Sequence, residues 1–293
     1  MRIVSLLPST TEIVCDLGLG NELVGVTAEC NWPERVQDGR EIVVRSFADP
    51  ALTPFEIDAF VRQRIADGLD LYELDHAALQ RCDPDLILSQ DLCRVCAVAS
   101  GDVAAATARL NCHAEVLQID PQTLSDVLES VLTIASAANA AQRGTDFVAR
   151  LRKRLTKVLD AVHDRPRRRV FVLEWIDPPF GAGHWVPDLV VAAGGDPVLA
   201  RPGSRSLETT WEAIAAAQPE IVVVAPCGFG LEQARDQARL ILDLVPETAE
   251  VWAVDADAVM VRPGPRLIDG VEALAALVHG VDEVPANLLT RIR

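Results

Sequence analysis

The chain has 293 residues, 49 % of them apolar and 24 % charged, with a net charge of −16 and a pI of about 4.7. That composition excludes a disordered or fibrous chain, and the acidic balance argues against a nucleic-acid backbone or an anionic membrane as partner. No run approaches the ~18 apolar residues of a membrane span, and the length suits two α/β lobes better than one core.

Residues 3–7 read as a buried strand, ended by Pro8. Ser9-Thr10-Thr11-Glu12 has the form of a capping box and opens a helix to about Gly18. Strands are expected at 22–27 and 41–44. Thr53-Pro54-Phe55-Glu56 is a second capping box, with proline at the first helical position of a helix to about Ala66. A short helix at 76–81 precedes a strand at 85–88, a helix near 102–109 and a strand at 114–119. Strands alternating with helices mean a parallel sheet with crossover helices.

From 123 to 162 the rhythm changes. Apolar residues recur at helical spacing (Leu124, Val127, Leu128, Val131, Leu132, then Phe147, Leu151, Leu155, Val158, Leu159, Val162), with no proline and one glycine, Gly144. Forty helical residues would span about 60 Å, so the pattern predicts one long helix running between two lobes and resisting hinge motion. The α/β alternation then resumes: strand 170–174, helix 187–193 closed by Gly194-Gly195, helix 211–217, strand 221–225, helix 231–244, strand 251–254 and helix 267–278. Cys-Asp-Pro-Asp-Leu-Ile-Leu-Ser-Gln at 82–90 matches Ala-Gln-Pro-Glu-Ile-Val-Val-Val-Ala at 217–225, and Ala-Glu-Val-Leu-Gln-Ile-Asp at 114–120 matches Ala-Glu-Val-Trp-Ala-Val-Asp at 249–255, both offset by 135. The expected organisation is an α/β lobe at 1–121, a linking helix at 122–165 and a second α/β lobe at 166–293, with a cleft between Rossmann-like sheets.

In open parallel sheets ligands bind beyond the carboxyl ends of the strands. Those ends carry Pro8 and Ser9; Cys30, Asn31 and Trp32; Phe47; and Gln90, Asp91 and Cys93 in the first lobe. In the second they carry Trp175, Asp177 and Phe180; His184 and Trp185; Cys227 and Phe229; and Arg262-Pro-Gly-Pro-Arg266. The chain is only 4 % aromatic, yet Trp32, Phe47, Trp175, Phe180, Trp185 and Phe229 all fall in these loops, which favours a flat apolar ligand over lobe packing alone. Arg262 and Arg266 at a helix start suit an anionic group.

The segments 3–27, 174–195 and 262–275 together, IVSLLPSTTEIVCDLGLGNELVGVT, EWIDPPFGAGHWVPDLVVAAGG and RPGPRLIDGVEALA, resemble the substrate-binding proteins of iron-chelate and vitamin B12 ABC importers over nearly the whole chain. The resemblance implies two α/β lobes joined by a rigid helix. It also implies a cobalamin-like corrinoid, haem or ferric chelate held between them, with Trp32, Phe47, Trp175, Phe180 and Trp185 lining the pocket. The chain departs from that pattern at its start: Met1-Arg2 leads into only a strand's length of apolar residues, without the basic start, longer apolar run and cleavage site of a secretory signal. Together with an odd number of cysteines, seven, this gives the expectation of a cytoplasmic protein and counts against delivery to a membrane permease.

Cys30, Cys93, Cys96 and Cys227 all follow predicted strands. Three readings of them stay open: a thioredoxin-like redox pair at Cys93 and Cys96, a zinc or iron–sulfur site on all four with His184 as a spare ligand, and thiols that only pack. Cys15, Cys82 and Cys112 lie within or beside helices and read as small buried hydrophobes. No nucleophile elbow, phosphate loop, dinucleotide fingerprint or His-Glu-x-x-His motif occurs, so binding is favoured over catalysis. The expected function is binding of a corrinoid or related chelate. The alternatives are a metalloprotein on the cleft cysteines and a tetrapyrrole-metal chelatase using His184 and Asp177.

Overall fold

In a computed structural model, which describes residues 1–49, 51–90, 103 and 113–293, the chain forms two compact units. The first comprises Met1–Asp120 with Leu128–Val148, the second Pro121–Val127 with Ala149–Arg293.

The first unit is built on β1 (Ile3–Ser5), α1 (Pro8–Asp16), β2 (Leu23–Thr27), β3 (Glu41–Ser46), α2 (Pro54–Ala66), β4 (Tyr72–Leu74), α3 (His76–Cys82), β5 (Leu86–Ser89) and β6 (Glu115–Gln118). The strands form one sheet in the order β4-β3-β2-β1-β5-β6, parallel except where β4 pairs antiparallel with β3. β1 and β5 are interior strands and every residue of each is buried, which is why both read as unbroken apolar or small-residue runs. Val4, Val43, Val44, Leu79 and Ile87 close the core against α3.

The two capping boxes have different outcomes. At α2 the box forms: Thr53 Oγ1 accepts from Glu56 N–H, and the Glu56 carboxylate accepts from Thr53 N–H at 2.8 Å. At α1 it does not. The helix starts at Pro8, with Leu7 at the N-cap and no side-chain cap. Proline's fixed φ sets the first turn one residue ahead of Ser9, and the nearby hydroxyls bond to one another instead, Ser5 with Thr10 at 2.6 Å and Thr11 to Ser5 at 2.8 Å.

The forty-residue helix is corrected to two, α4 (Leu124–Ala137) and α5 (Ala141–Val162). Asn139 adopts φ +56°, and the chain closes α4 with Ala140 N–H donating to Ala135 O at 2.7 Å and Asn139 N–H to Ser136 O at 3.1 Å. That is a Schellman stop, with asparagine in the left-handed position where a helix commonly ends. Periodicity misses it because a left-handed residue breaks the backbone ladder without changing the apolar spacing. A Cβ at Gly144 would overlap the Ala135 side chain, so this glycine lets the start of α5 lie close on the end of α4. The 22 residues of α5 form the longest helix among the described residues and pass from the first unit's residues to the second's.

The second unit carries β7 (Arg169–Ile176), β8 (Pro179–Gly181), α6 (Val186–Ala192), β9 (Asp196–Pro197), β10 (Leu207–Glu208), α7 (Trp211–Ala216), β11 (Ile221–Val224), α8 (Leu231–Leu240), β12 (Glu250–Val254), α9 (Ala256–Val259), α10 (Leu267–His279) and β13 (Leu289–Arg291). Its sheet runs β10-β8-β7-β11-β12-β13, with β9 also on β7. β7, β11 and β12 are parallel; β8, β10 and β13 add antiparallel edges.

The repeat seen in the sequence is a repeat of hydrogen bonds. Asp83 and Gln218, 135 apart, both adopt left-handed backbone ahead of their strands. The Arg2 guanidinium donates to Asp83 O at 3.1 Å in one unit, and Arg169 donates to Gln218 O at 2.8 Å in the other. The carboxylates of Asp85 and Glu220, again 135 apart, accept from the backbone N–H of Arg2 and Arg169 at 2.7 and 2.9 Å. The same arginine–turn–carboxylate clasp sets the head of a pair of adjacent interior strands in each unit, β1 with β5 and β7 with β11.

Candidate ligand-binding site

In the first unit, Pro8 and Ser9 occupy the first turn of α1 just beyond β1, with Ser9 buried. Asn31 and Trp32 lie exposed beyond β2, Trp32 at 43 %. Phe47, 44 % exposed at the end of β3, carries the Arg64 guanidinium over its ring at 4.4 Å. Gln90 is buried at the end of β5, and the Ser89 hydroxyl beside it is buried with no hydrogen-bond partner.

Cys30 is corrected. It is only 1 % exposed and lies between the hydroxyls of Thr11 (3.2 Å) and Thr27 (3.3 Å), so it packs inside the unit and presents no thiol at the strand ends. Burial pushes the thiols of Cys15 and Cys82 up to about 11, so both stay protonated and inert at neutral pH, as small apolar fillers do. Cys93, Cys96, Asp91 and Cys112 lie outside the described residues. Among the described residues no group of three His, Cys, Asp or Glu side chains could hold a metal ion.

In the second unit the parallel strands bring several sequence-predicted residues to one edge. Trp175 near the end of β7 stacks on Phe229 beyond β11, with centroids 5.7 Å apart at 28°. Phe180 is the cross-strand partner of Trp175 on β8, and directly opposed residues share a sheet face. Backbone bonds hold the loops that carry them: Cys227 N–H to Glu174 O at 3.1 Å, and Asp257 N–H to Phe229 O at 3.2 Å. Cys227 is exposed on that rim. The Trp175 indole N–H is buried without a hydrogen-bond partner, a donor left unsatisfied inside an aromatic group.

Three other expectations change. Trp185 is 6 % exposed and donates its indole N–H to Met260 O at 2.9 Å, so it belongs to the unit's own core and lines no open loop. Arg262 is ion-paired to Asp257, with side chains 10 % and 19 % exposed, so its charge is already matched at the helix start. His184 does not stand beyond a strand end: β8 doubles back along β7, Ala182 N–H bonding Val172 O at 3.0 Å, before the chain reaches it. Asp177 sits at the tip of the β7–β8 turn, and the chain between it and His184 runs the length of β8, about 10 Å. The acid–base pair of a chelatase is therefore not assembled.

The loop 201–206 packs against His184. His184 N–H donates to Ser204 O, Gly203 N–H donates to His184 O at 3.0 Å, and Gly183 N–H donates to the Ser206 hydroxyl at 3.1 Å. Ser206 in turn donates to the Glu174 carboxylate at 2.9 Å. His184 adopts φ +52° and is half-buried. Burial first, then the charge of Arg205, pulls its imidazole below the ordinary histidine value, and burial does the same at His279. Both favour the neutral ring in the folded state. As pH falls through the unfolded value of about 6.5, the unfolded chain protonates first, so stability is full above that value and is lost below it. Chemical denaturation at pH 7.5 and pH 5.5 should show that loss, reduced in His184→Gln and His279→Gln; an unchanged slope in both variants would refute the assignment.

Sequence reasoning missed Arg201, Arg205, Ser206 and Asp257. A signal was present: Arg-Pro-Gly-Ser-Arg at 201–205 has the form of Arg-Pro-Gly-Pro-Arg at 262–266.

Two α/β units, each with a parallel sheet core and loops gathered at the strand ends, define a solute-binding class of protein. The chain belongs to the periplasmic binding protein family, whose profile matches residues 3–264. A Bacillus subtilis (strain 168) protein described as the uncharacterized ABC transporter substrate-binding lipoprotein YvrC is 24 % identical over 290 residues, covering 95 % of this chain and 80 % of that one. Among solved structures, the periplasmic vitamin B12 binding protein BtuF of Vibrio cholerae aligns with a TM-score of 0.69 at 19 % identity, covering 96 % of this chain and 98 % of that one. The periplasmic heme-binding protein RhuT from Roseiflexus sp. RS-1 aligns with a TM-score of 0.69 at 21 % identity, with the same coverage. At these identities the structural likeness is one of fold.

Proposed function

We propose that this chain is the ligand-binding component of an ABC importer for a metal chelate: a corrinoid, a haem-like tetrapyrrole or a ferric chelate. The observation that carries the reading is the strand-end aromatic group of the second unit: Trp175 stacked on Phe229, with Phe180 opposite Trp175 and an unsatisfied indole N–H among them. Stacked aromatic faces bind a flat apolar ring system, and a buried donor without a partner is satisfied when a ligand acceptor reaches it. Trp32 and Phe47, exposed at strand ends of the first unit, are aromatic surfaces of the same kind. Family membership supports the class, and the B12- and heme-binding descriptions of proteins with this fold support the ligand type. The lipoprotein relative, described as an ABC transporter substrate-binding protein, supports a permease as partner.

The test is titration of the full chain with cyanocobalamin, haem and a ferric trihydroxamate, followed by tryptophan fluorescence. Saturable quenching at one ligand per chain is expected for at least one of them. No response to any of the three would overturn the reading.

A further inference from the structure

Residues 201–206 hold two arginines on a loop pinned to its own unit. Gly203 and Ser204 bond the backbone of His184, Ser206 bonds Gly183 and Glu174, and Ser204 N–H closes the turn onto Arg201 O at 3.1 Å. Both arginines are exposed, and neither guanidinium makes an ion pair or a hydrogen bond among the described residues. The chain carries 43 acidic and 27 basic residues, so carboxylates to pair with them are in excess. The related turn at 262–266 shows the contrast: there Arg262 is held by Asp257.

The loop leads straight into the aromatic group. β10 begins at Leu207, which pairs with Gly181, and Glu208 pairs with Phe180, itself the partner of Trp175. Arg205 therefore lies three residues, about 10 Å along the strand, from the level of Phe180. His184 beside it favours its neutral form and adds no competing positive charge.

We propose that Arg201 and Arg205 form a cationic rim that selects chelates carrying two acidic substituents on an apolar body. This rests on the strand-end aromatic group being the chelate site, and it narrows that reading. A guanidinium fork matches a carboxylate in two parallel hydrogen bonds, and two such forks on a pinned loop match a ligand with two carboxylates. A metal tetrapyrrole with two propionate arms has that chemistry. A corrinoid, whose periphery is amides with one phosphodiester, does not.

The experiment compares the original chain with Arg201→Gln/Arg205→Gln and with a control of equal charge change, Arg239→Gln/Arg291→Gln, at two exposed arginines on α8 and on β13, the sheet edge opposite β10. The probes are haem, its dimethyl ester and cyanocobalamin. Haem affinity should fall tenfold or more in the Arg201→Gln/Arg205→Gln variant and stay unchanged in Arg239→Gln/Arg291→Gln, while the ester binds the original chain and the Arg201→Gln/Arg205→Gln variant equally. Added salt should weaken haem binding in the original chain more than in the Arg201→Gln/Arg205→Gln variant. Equal losses for haem and ester, or no loss for either, overturn the rim. A chain that binds cobalamin and not haem overturns the rim and leaves chelate binding standing. A chain that binds neither these probes nor the ferric trihydroxamate removes the underlying reading as well.

Discussion

Gly183→Ala is expected to destabilise the chain by about 3 kcal/mol. A Cβ at this position would overlap backbone atoms of Ser204, Arg205 and Ser206, none of which is the far end of a flexible side chain that could swing aside. The loop must move, and moving it breaks the bonds from Gly183 to the Ser206 hydroxyl, from His184 to Ser204 and from Gly203 to His184. Three hydrogen bonds at about 1 kcal/mol each give the magnitude, which also sits at the upper end of the cost of overpacking. Gly230→Ala is the control: nothing lies within 4 Å of its added Cβ and its φ of −78° is ordinary. Urea denaturation of both should separate them clearly. Equal midpoints would mean that the loop does not rest on Gly183. If the loop carries ligand contacts, chelate affinity should fall with stability in Gly183→Ala and hold in Gly230→Ala.

Trp175→Ala and Trp175→Phe together should separate the ring contact from the indole donor. Removing the indole forfeits its stacking on Phe229, about 1 kcal/mol, but also removes a buried N–H that has no partner, whose desolvation costs about 1–3 kcal/mol. Losing the apolar contacts of a half-buried indole adds to the first effect, so a net loss of stability of about 1–3 kcal/mol is expected. Affinity for the chelate should drop by about 2 kcal/mol, roughly thirtyfold, as for a central aromatic anchor in a binding site. Trp175→Phe adds a second readout. It keeps a stacking ring and lacks the N–H, so retained affinity would assign the contact to the ring face and lost affinity to the donor. A Trp175→Ala variant that binds as tightly as the original chain would remove the aromatic group from the site.

Both variants act on features with very different legibility in the sequence. Trp175 was visible as an aromatic residue after an apolar strand, and parallel topology then carries it to the sheet's carboxyl edge with Phe229. Gly183 was one glycine in a Gly-x-Gly run, and its importance comes from a loop twenty residues further on that no local pattern brings back to it. Trp185, next to His184 in the same run, looked like a loop aromatic and is a core residue, because its indole reaches the carbonyl of Met260, 75 positions away. Cys30 followed a strand as expected, yet the hydroxyls of Thr11 and Thr27 hold it inside. In each case the side chain's role depended on a partner distant in the chain.

The sequence by itself determined the two-unit α/β organisation, since unbroken apolar strands, capping signals and a 135-residue repeat are local or periodic properties. The repeat aligned Asp83 with Gln218 and Asp85 with Glu220, but that these residues clasp Arg2 and Arg169 at the strand heads came from the structure. Tertiary structure alone decided where helical periodicity stops at Asn139, because one left-handed residue ends a helix while the apolar spacing runs on. It alone also decided which of two similar turns carries unmatched charge. Arg-Pro-Gly-Pro-Arg and Arg-Pro-Gly-Ser-Arg read alike, but the fold sets Asp257 against Arg262 and sets no carboxylate against Arg201 or Arg205 among the described residues. Electrostatic pairing is a property of distance in space, and spacing along the chain does not encode it.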